Sequence, residues 1–440
     1  MSLPRLLVTA VLAAAAAAAQ ETRETDSRPA SRPASRLSDP LQALALRIAE
    51  AIDSGAPPES AAVDYDATFL ARFAWPRVAS TYAEFRRRYG AVSRVDELTR
   101  HGPTSGLYRV VFEEKTVLRM ELEAGGEPLR VTALSFSDPL PLHDTRAKAI
   151  WAFDFLNGQS AVALYELGDG APRLLDELDG ETPIALAGVS KLFILGAVVE
   201  RIVAGTLAWD DAVPACAPTA SRPADSRPTA TVRALVAAVL EHDDDVAGEA
   251  LFRLVGRDAV EAAVVAMGVA RPERLKPFFS PREAAVLKGD PNGRLARAFL
   301  VGDLEARRAV LEEAAAVDPS TLPTPKGPTL VAEVGWFATL RDVAYAWDWI
   351  RRKTASGPAA ELRERLGANR GIPLSPEAFP YAAFKGGGER GVSCATWLFM
   401  RPDGKWYAAG AAWTNPAEDL DDRRFLGLVH RYFEQLAATL

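Results

Sequence analysis

The chain has 440 residues, with 51 Lys and Arg against 58 Asp and Glu for a net charge of −7, and it is 48% hydrophobic and 25% charged. This is an ordinary globular mixture, at a length for about two or three domains, and it excludes a mainly disordered, collagen-like or polytopic membrane chain. Mild acidity gives no general pull on nucleic acid or anionic lipid. Cys216 and Cys394 with four scattered histidines (His101, His143, His242, His430) supply neither a disulfide framework nor a thiolate or His-rich metal centre, so no metal and no cofactor is expected.

The N-terminus reads as a secretory signal peptide over residues 1–19. Arg5 is followed by an apolar run, Leu6–Ala19, that turns into poly-Ala and ends in small residues before Gln20. The run is shorter than the roughly 20 apolar residues that a membrane span needs. A secreted or periplasmic location is expected, with no lipobox Cys, no stable span after cleavage, and conditions in which Cys216 and Cys394 can oxidise. Residues 20–38 repeat Ser-Arg-Pro-Ala and read as an extended linker. The same letters return at Ser221–Pro228, which predicts a low-complexity surface insertion near 218–229.

A small α+β domain is expected over residues 39–138. Asp39-Pro40 opens a helix whose buried face is read as Leu41, Leu44, Leu46, Ile48 and Ile52. A second helix is placed near Ala79–Tyr89. Strands are placed at Ser93–Arg100, Gly106–Glu113, Thr116–Glu123 and Leu129–Phe136, with a turn at Gly125-Gly126. No Asp/His/Tyr constellation stands out in it, and a packing or binding module is the reading.

Residues 139–440 form the second expected domain. A helix at Thr145–Leu156 precedes a hairpin of Ser160–Leu167 and Arg173–Leu178. Helices fill about 185–370, and strands return at Ala382–Phe384, Val392–Met400 and Trp406–Thr414. An amphipathic helix with Phe425, Leu428, Val429, Tyr432, Phe433 and Leu436 closes the chain. The first and last segments are expected to share one antiparallel sheet, with the middle as a helical lobe and a cleft between them.

Three segments carry the chemistry: Gly188-Val189-Ser190-Lys191 at the head of a helix, Asp243-Asp244-Asp245 between helices, and Lys385-Gly386-Gly387-Gly388 after a strand. With the sheet–helices–sheet order, they resemble the class A β-lactamase and penicillin-binding-protein family. That family carries S-x-x-K, S-D-N and K-T-G at the corresponding places. Together with the small first domain, the chain resembles a subgroup with an N-terminal ketosteroid-isomerase-like domain. The resemblance implies an acyl-transfer site. A Ser at a helix N-terminus is favoured by the helix dipole and nearby N–H groups, and a Lys three residues later takes its proton. The loop Ser and the strand Lys relay protons and hold a substrate carboxylate, and the strand backbone supplies part of the oxyanion hole. A β-lactam-like acid or a cell-wall peptide is the implied ligand.

The sequence departs from that pattern at the reacting positions. Gly188 stands where the nucleophilic Ser is expected. Ser190 is about 200° round a helix from it, a poor substitute. Asp243 and Asp245 replace the Ser and Asn of the second motif, where they are placed to pair with Lys191 and Lys385; Asp244 matches the structural middle Asp. Lys385, Gly386, Gly387 and Gly388 keep the third motif with Gly for Thr. No E-x-x-L-N match for a deacylating Glu occurs between Glu273 and Ala332; neither Glu273 nor Glu283 fits. Thr339 is read as a helix cap with Asp342 at the third position. Three readings stay open: a degenerate hydrolase with lost or weak activity and a retained ligand cleft, an active enzyme using Ser190 or an Asp243-activated water, and a ligand- or partner-binding scaffold.

Overall fold

A computed structural model describes residues 39–55, 61, 63–113, 115–136, 139–141, 144–214, 229–290 and 292–440. The signal-peptide and linker segments, Cys216 and the whole of the second Ser-Arg-Pro-Ala copy, Ser221–Pro228, lie outside the described residues. The chain divides into two compact units, Met1–Phe136 and Ser137–Leu440.

In the first unit, helix α1 (Pro40–Ser54) begins on Asp39, whose carboxylate accepts from Leu41 N and Gln42 N, and ends on Gly55 in the left-handed conformation. Leu41, Leu44, Ile48 and Ile52 are buried at helical spacing. Leu46 is not part of that face: it is 44% exposed, because two residues along the helix is about 200° of rotation from Leu44. A short helix, α2 (Ala67–Arg72), and α3 (Trp75–Tyr89) follow. Strands β1 (Val92–Gly102), β2 (Ser105–Phe112), β3 (Thr116–Gly125) and β4 (Arg130–Phe136) pair antiparallel in that order. One apolar core joins the helices to the sheet, and Tyr65 and Tyr82 share a 2.6 Å hydroxyl–hydroxyl hydrogen bond inside it. Nothing in the residue spacing signals that pair, since the two tyrosines belong to separate elements.

The second unit starts with α4 (Arg146–Trp151), capped by Thr145 and continued by a 3₁₀ turn to Phe155, where one helix was expected. Strands β5 (Gln159–Leu167) and β6 (Arg173–Leu178) form the hairpin. The short strand β7 (Ile184–Ala185) then leads to helix α5 (Lys191–Val203), which is buried almost all round, as befits the axis of a helical lobe. Around it run α6 (Val232–His242), α7 (Asp245–Val255), α8 (Arg257–Ala266), α9 (Pro281–Gly289), α10 (Arg294–Val301) and α11 (Leu304–Ala316). Strand β8 (Phe337–Ala338) pairs antiparallel with β7. Helix α12 (Leu340–Lys353) opens on a reciprocal cap between Thr339 and Asp342, and α13 (Ala360–Ala368) follows. The chain returns as β9 (Tyr381–Glu389), β10 (Val392–Met400) and β11 (Trp406–Thr414), then ends in α14 (Asp422–Thr439).

The large sheet has the order β9-β10-β11-β5-β6, all antiparallel, so strands from both ends of the unit share it. Alternation along β5 puts Ala161, Ala163 and Tyr165 in the core shared with the helical lobe, and Val162 and Leu164 in a second core under α4 and α14. Strand β9 is longer than the expected Ala382–Phe384. Its glycines lower strand propensity, yet pairing with β10 holds it extended through Glu389, with Lys385 opposite Thr396 and Gly387 opposite Cys394. The third motif therefore lies inside an edge strand and not beyond its end.

Candidate active site

The chain approaches Lys191 through a 3₁₀ turn, Ala187–Ser190. Ala187 holds a left-handed φ of 43°, a conformation that costs a β-carbon-bearing residue about 1–2 kcal/mol. Ser190 is 2% exposed and its Oγ donates to Ala187 O at 2.7 Å, so the hydroxyl is spent on closing the turn. Gly188 sits opposite Asp243: a β-carbon built on Gly188 would overlap the Asp243 carboxylate, 2.6 Å from its Cγ. The slot for a side chain at 188 is filled by protein.

Asp243 reaches that slot for a local reason. Helix α6 ends at His242, and Asp243 closes it with φ 53° and ψ 33°, a left-handed position that Asp tolerates better than most residues. Asp244 accepts from Ala247 N at 2.9 Å and caps α7, whose first residue is Asp245. The acidic triplet is thus a helix stop, a helix start and a first-turn carboxylate at a positive helix end.

Two lysines converge on it, each with a side chain only 2% exposed. Lys191 Nζ donates to Asp243 Oδ1 at 2.7 Å and to Asp243 O at 2.5 Å, and lies 2.7 Å from Asp245 Oδ1. Lys385 Nζ donates to Asp243 Oδ1 at 2.6 Å and to Gly386 O at 2.6 Å. One carboxylate oxygen bridges both ammoniums, and with Asp245 the two positive and two negative charges cancel. Burial pulls the Lys385 ammonium below its ordinary value, and the Asp243 charge only partly offsets this. Behind the cluster, Thr396 Oγ1 donates to Lys385 O at 2.8 Å and accepts from Trp347 Nε1 at 3.1 Å, which fixes the strand at Lys385.

Glycines make the close approaches. A β-carbon on Gly387 would lie 2.6 Å from Val189 N and 2.7 Å from Gly188 Cα, so strand β9 touches the turn backbone to backbone. Gly386 has the Phe384 ring where a side chain would start, and a Thr there displaces it. Gly388 is 3.4 Å, at its built β-carbon, from Val392 O. Gly248, which sequence reasoning missed, gives room to the Lys191 stem, 3.2 Å from Cε; its only signal was a Gly inside a helix. Also missed was Lys288 on α9, whose Nζ meets the Glu389 carboxylate at 2.5 and 2.6 Å at the far end of β9.

The structure brings Gly188, Lys191, Asp243, Asp245, Lys385 and Gly387 together. Glu283 serves the fold: it accepts from Ser280 N at 2.7 Å, completes the cap of α9 and pairs with Arg257 at 2.6 Å. Glu273 is exposed on the turn Pro272–Leu275. Cys394 is a buried free thiol in the core, its acidity weakened by burial to about 12.

The family model described as "Beta-lactamase enzyme family" matches residues 147–298, from α4 through most of the helical lobe and under half of the chain. Over those residues the unit is similar to that family. Among solved structures, a β-lactamase from Sphaerobacter thermophilus DSM 20745 is 17% identical with a TM-score of 0.45, over 67% of this chain and 97% of that one. A β-lactamase from Chitinophaga pinensis DSM 2588 is 15% identical with a TM-score of 0.45, over 67% and 99%. The TLA-3 extended-spectrum β-lactamase is 11% identical with a TM-score of 0.46, over 67% and 97%. No curated protein matches the chain. Among the described residues, no helix of the β-lactamase-like unit or the first unit is long and apolar enough to cross a membrane.

Proposed function

We propose that this is an exported β-lactamase-like protein whose acyl-transfer chemistry is lost and whose cleft serves ligand binding. The observation that carries the reading is the Gly188–Asp243 pair: the nucleophile position has no side chain, and a carboxylate occupies its space while holding both lysines. Losing a covalent nucleophile costs on the order of 10⁶ in rate in a serine protease. The lysines that would hold a substrate carboxylate already hold Asp243, so an anionic β-lactam or cell-wall peptide enters only by displacing it. The sealed Ser190 hydroxyl and the double clamp on Asp243 speak against the two active-enzyme alternatives.

The test is to incubate the purified full chain with a chromogenic cephalosporin and, separately, with a fluorescent penicillin followed on a gel. No turnover and no covalent label are expected. Gly188→Ser alone is expected to stay unlabelled, because the new Cβ meets the Asp243 carboxylate. Gly188→Ser with Asp243→Ser frees the slot and is expected to gain label. Rapid turnover or a Ser adduct in the unmodified protein overturns the proposal. A mass-spectrometric search of the intact chain for its mature N-terminus, expected at or near Gln20, checks export separately.

A further inference from the structure

A concave site lies apart from the lysine cluster. Two cavities of about 490 and 230 Å³ adjoin, sharing Pro183, Arg274 and Phe337 as walls. None of Gly188, Lys191, Asp243 or Lys385 lines either of them. The larger is within the usual size of small-molecule sites.

Two cations mark this groove. Arg271 precedes and Arg274 lies within the turn Pro272–Leu275, which is stiffened by Pro272 and anchored by Leu275, 3% exposed. Both side chains are exposed, and neither guanidinium has a hydrogen bond, ion pair or ring contact among the described residues. Neighbouring arginines of the same lobe are committed: Arg253 to Glu249 at 2.7 Å, Arg257 to Glu283 at 2.6 Å and Arg308 to Glu261 at 2.8 Å. Both carboxylates on the lining face another cation, Arg341, 3.7 Å from Asp342 and 3.9 Å from Glu181, and neither pairs with Arg271 or Arg274. Asp342 accepts from Ala270 N at 2.8 Å, Thr339 N at 3.0 Å and Thr339 Oγ1 at 2.8 Å, so it is spent on the backbone and the cap. Glu181 is 58% exposed and stands 3.9 Å from Arg341.

Apolar residues complete much of the lining. Phe337 is held on the β7–β8 ribbon opposite Ala185 and packs with Ala185 and Val331, both buried. Thr182 and Gln159 add polar atoms at the rim; Gln159 Nε2 donates to Pro183 O at 3.1 Å. A groove lined by both a planar guanidinium and an aromatic ring suits one kind of molecule: an oxyanion carried on a flat apolar body.

We propose that the groove between Arg274 and Phe337 binds a small organic anion, a carboxylate or phosphate on an aromatic body, with Arg271 as the second cation. The proposal is independent of the acyl-transfer reading, since the two sites share no lining residue.

Isothermal titration of the full chain with benzoate, phenyl phosphate and neutral benzyl alcohol tests it. Saturable one-to-one binding of at least one anion is expected, weakened by added salt, with benzyl alcohol bound more weakly. Arg274→Ala is expected to cost about tenfold in affinity, and Arg274→Lys less, because charge is kept while the fork is lost. A preference for phenyl phosphate assigns a phosphate ligand and a preference for benzoate a carboxylate. Equal binding of benzyl alcohol, unchanged binding by the Arg271→Ala/Arg274→Ala double variant, or no saturation by either anion overturns the proposal. The arginines are exposed, so melting temperatures are expected to stay within a degree or so of the parent and exclude misfolding as the cause.

Discussion

Asp243 does the work of three residues. It ends a helix, neutralises two buried lysines and fills the space that Gly188 leaves. Removing one partner of such a cluster strands the other charge in a low-dielectric site, which costs more than the pair itself contributes. Lys385 is the more exposed to that loss, because beyond Asp243 its ammonium donates only to Gly386 O, whereas Lys191 keeps Asp245. The lowered Lys385 value gives a pH signature. The folded chain binds that proton less tightly than the unfolded chain, whose lysine has the ordinary value of 10.5. Between the folded value and 10.5 the unfolded state holds more protons, so stability contributed at Lys385 rises with pH in that window. Urea denaturation of the parent and of Lys385→Met, at neutral pH and approaching 10.5, is expected to shift in favour of the parent as pH rises; a flat difference contradicts the assignment. The sequence made the site's membership legible, since Gly188, Lys191, Asp243 and Lys385 stand at motif spacing. It did not show that the Asp243 carboxylate turns into the slot, because that depends on the left-handed backbone of one residue.

Strand β9 is the element on which the site depends, and its glycines act differently. Gly387 is a contact requirement: its α-carbon faces the Gly188–Val189 peptide, and any side chain there collides with backbone, which cannot rotate away. Gly387→Ala is expected to destabilise the second unit by about 2–3 kcal/mol, as overpacking of a rigid contact does; a change below about 0.5 kcal/mol, the usual level for an uninvolved surface site, contradicts it. At Gly386 a built β-carbon meets a side chain, the Phe384 ring, and not backbone, though that ring packs against Trp397 at 4.9 Å. Strands β10 and β11 have the bounds expected from the sequence, Val392–Met400 and Trp406–Thr414. The far end of β9 was not legible, because glycine reads as a break where cross-strand pairing in fact holds the chain extended. Leu46 shows the opposite error: an apolar letter was assigned to a face that helical geometry turns to water.

At the scale of the molecule, the apolar cores separate by unit: one is built from residues of the first unit alone, and the others from the second. The Tyr65–Tyr82 hydrogen bond belongs to the first, where burial raises both tyrosines well above their ordinary values. Tyr82→Phe removes that bond and is expected to cost about 1 kcal/mol, lowering the melting of the first unit by about 4–8 °C for a domain of this size. Calorimetry checks it; an unchanged melting temperature in the variant contradicts a stabilising role for the bond. The sheet–helices–sheet order was visible in the sequence because its motifs are far apart and each keeps its local pattern, whereas a pair such as Tyr65 and Tyr82 leaves no trace in spacing. Asp243 has one further consequence. Lys191 belongs to the central helix of the lobe and Lys385 to the edge of the sheet, so their shared oxygen is a clamp between the two halves of the second unit. A ligand entering there waits for the clamp to open. Its association rate is therefore expected to level off at a fixed opening rate as ligand concentration rises, so that arrival is timed by the protein and not by diffusion.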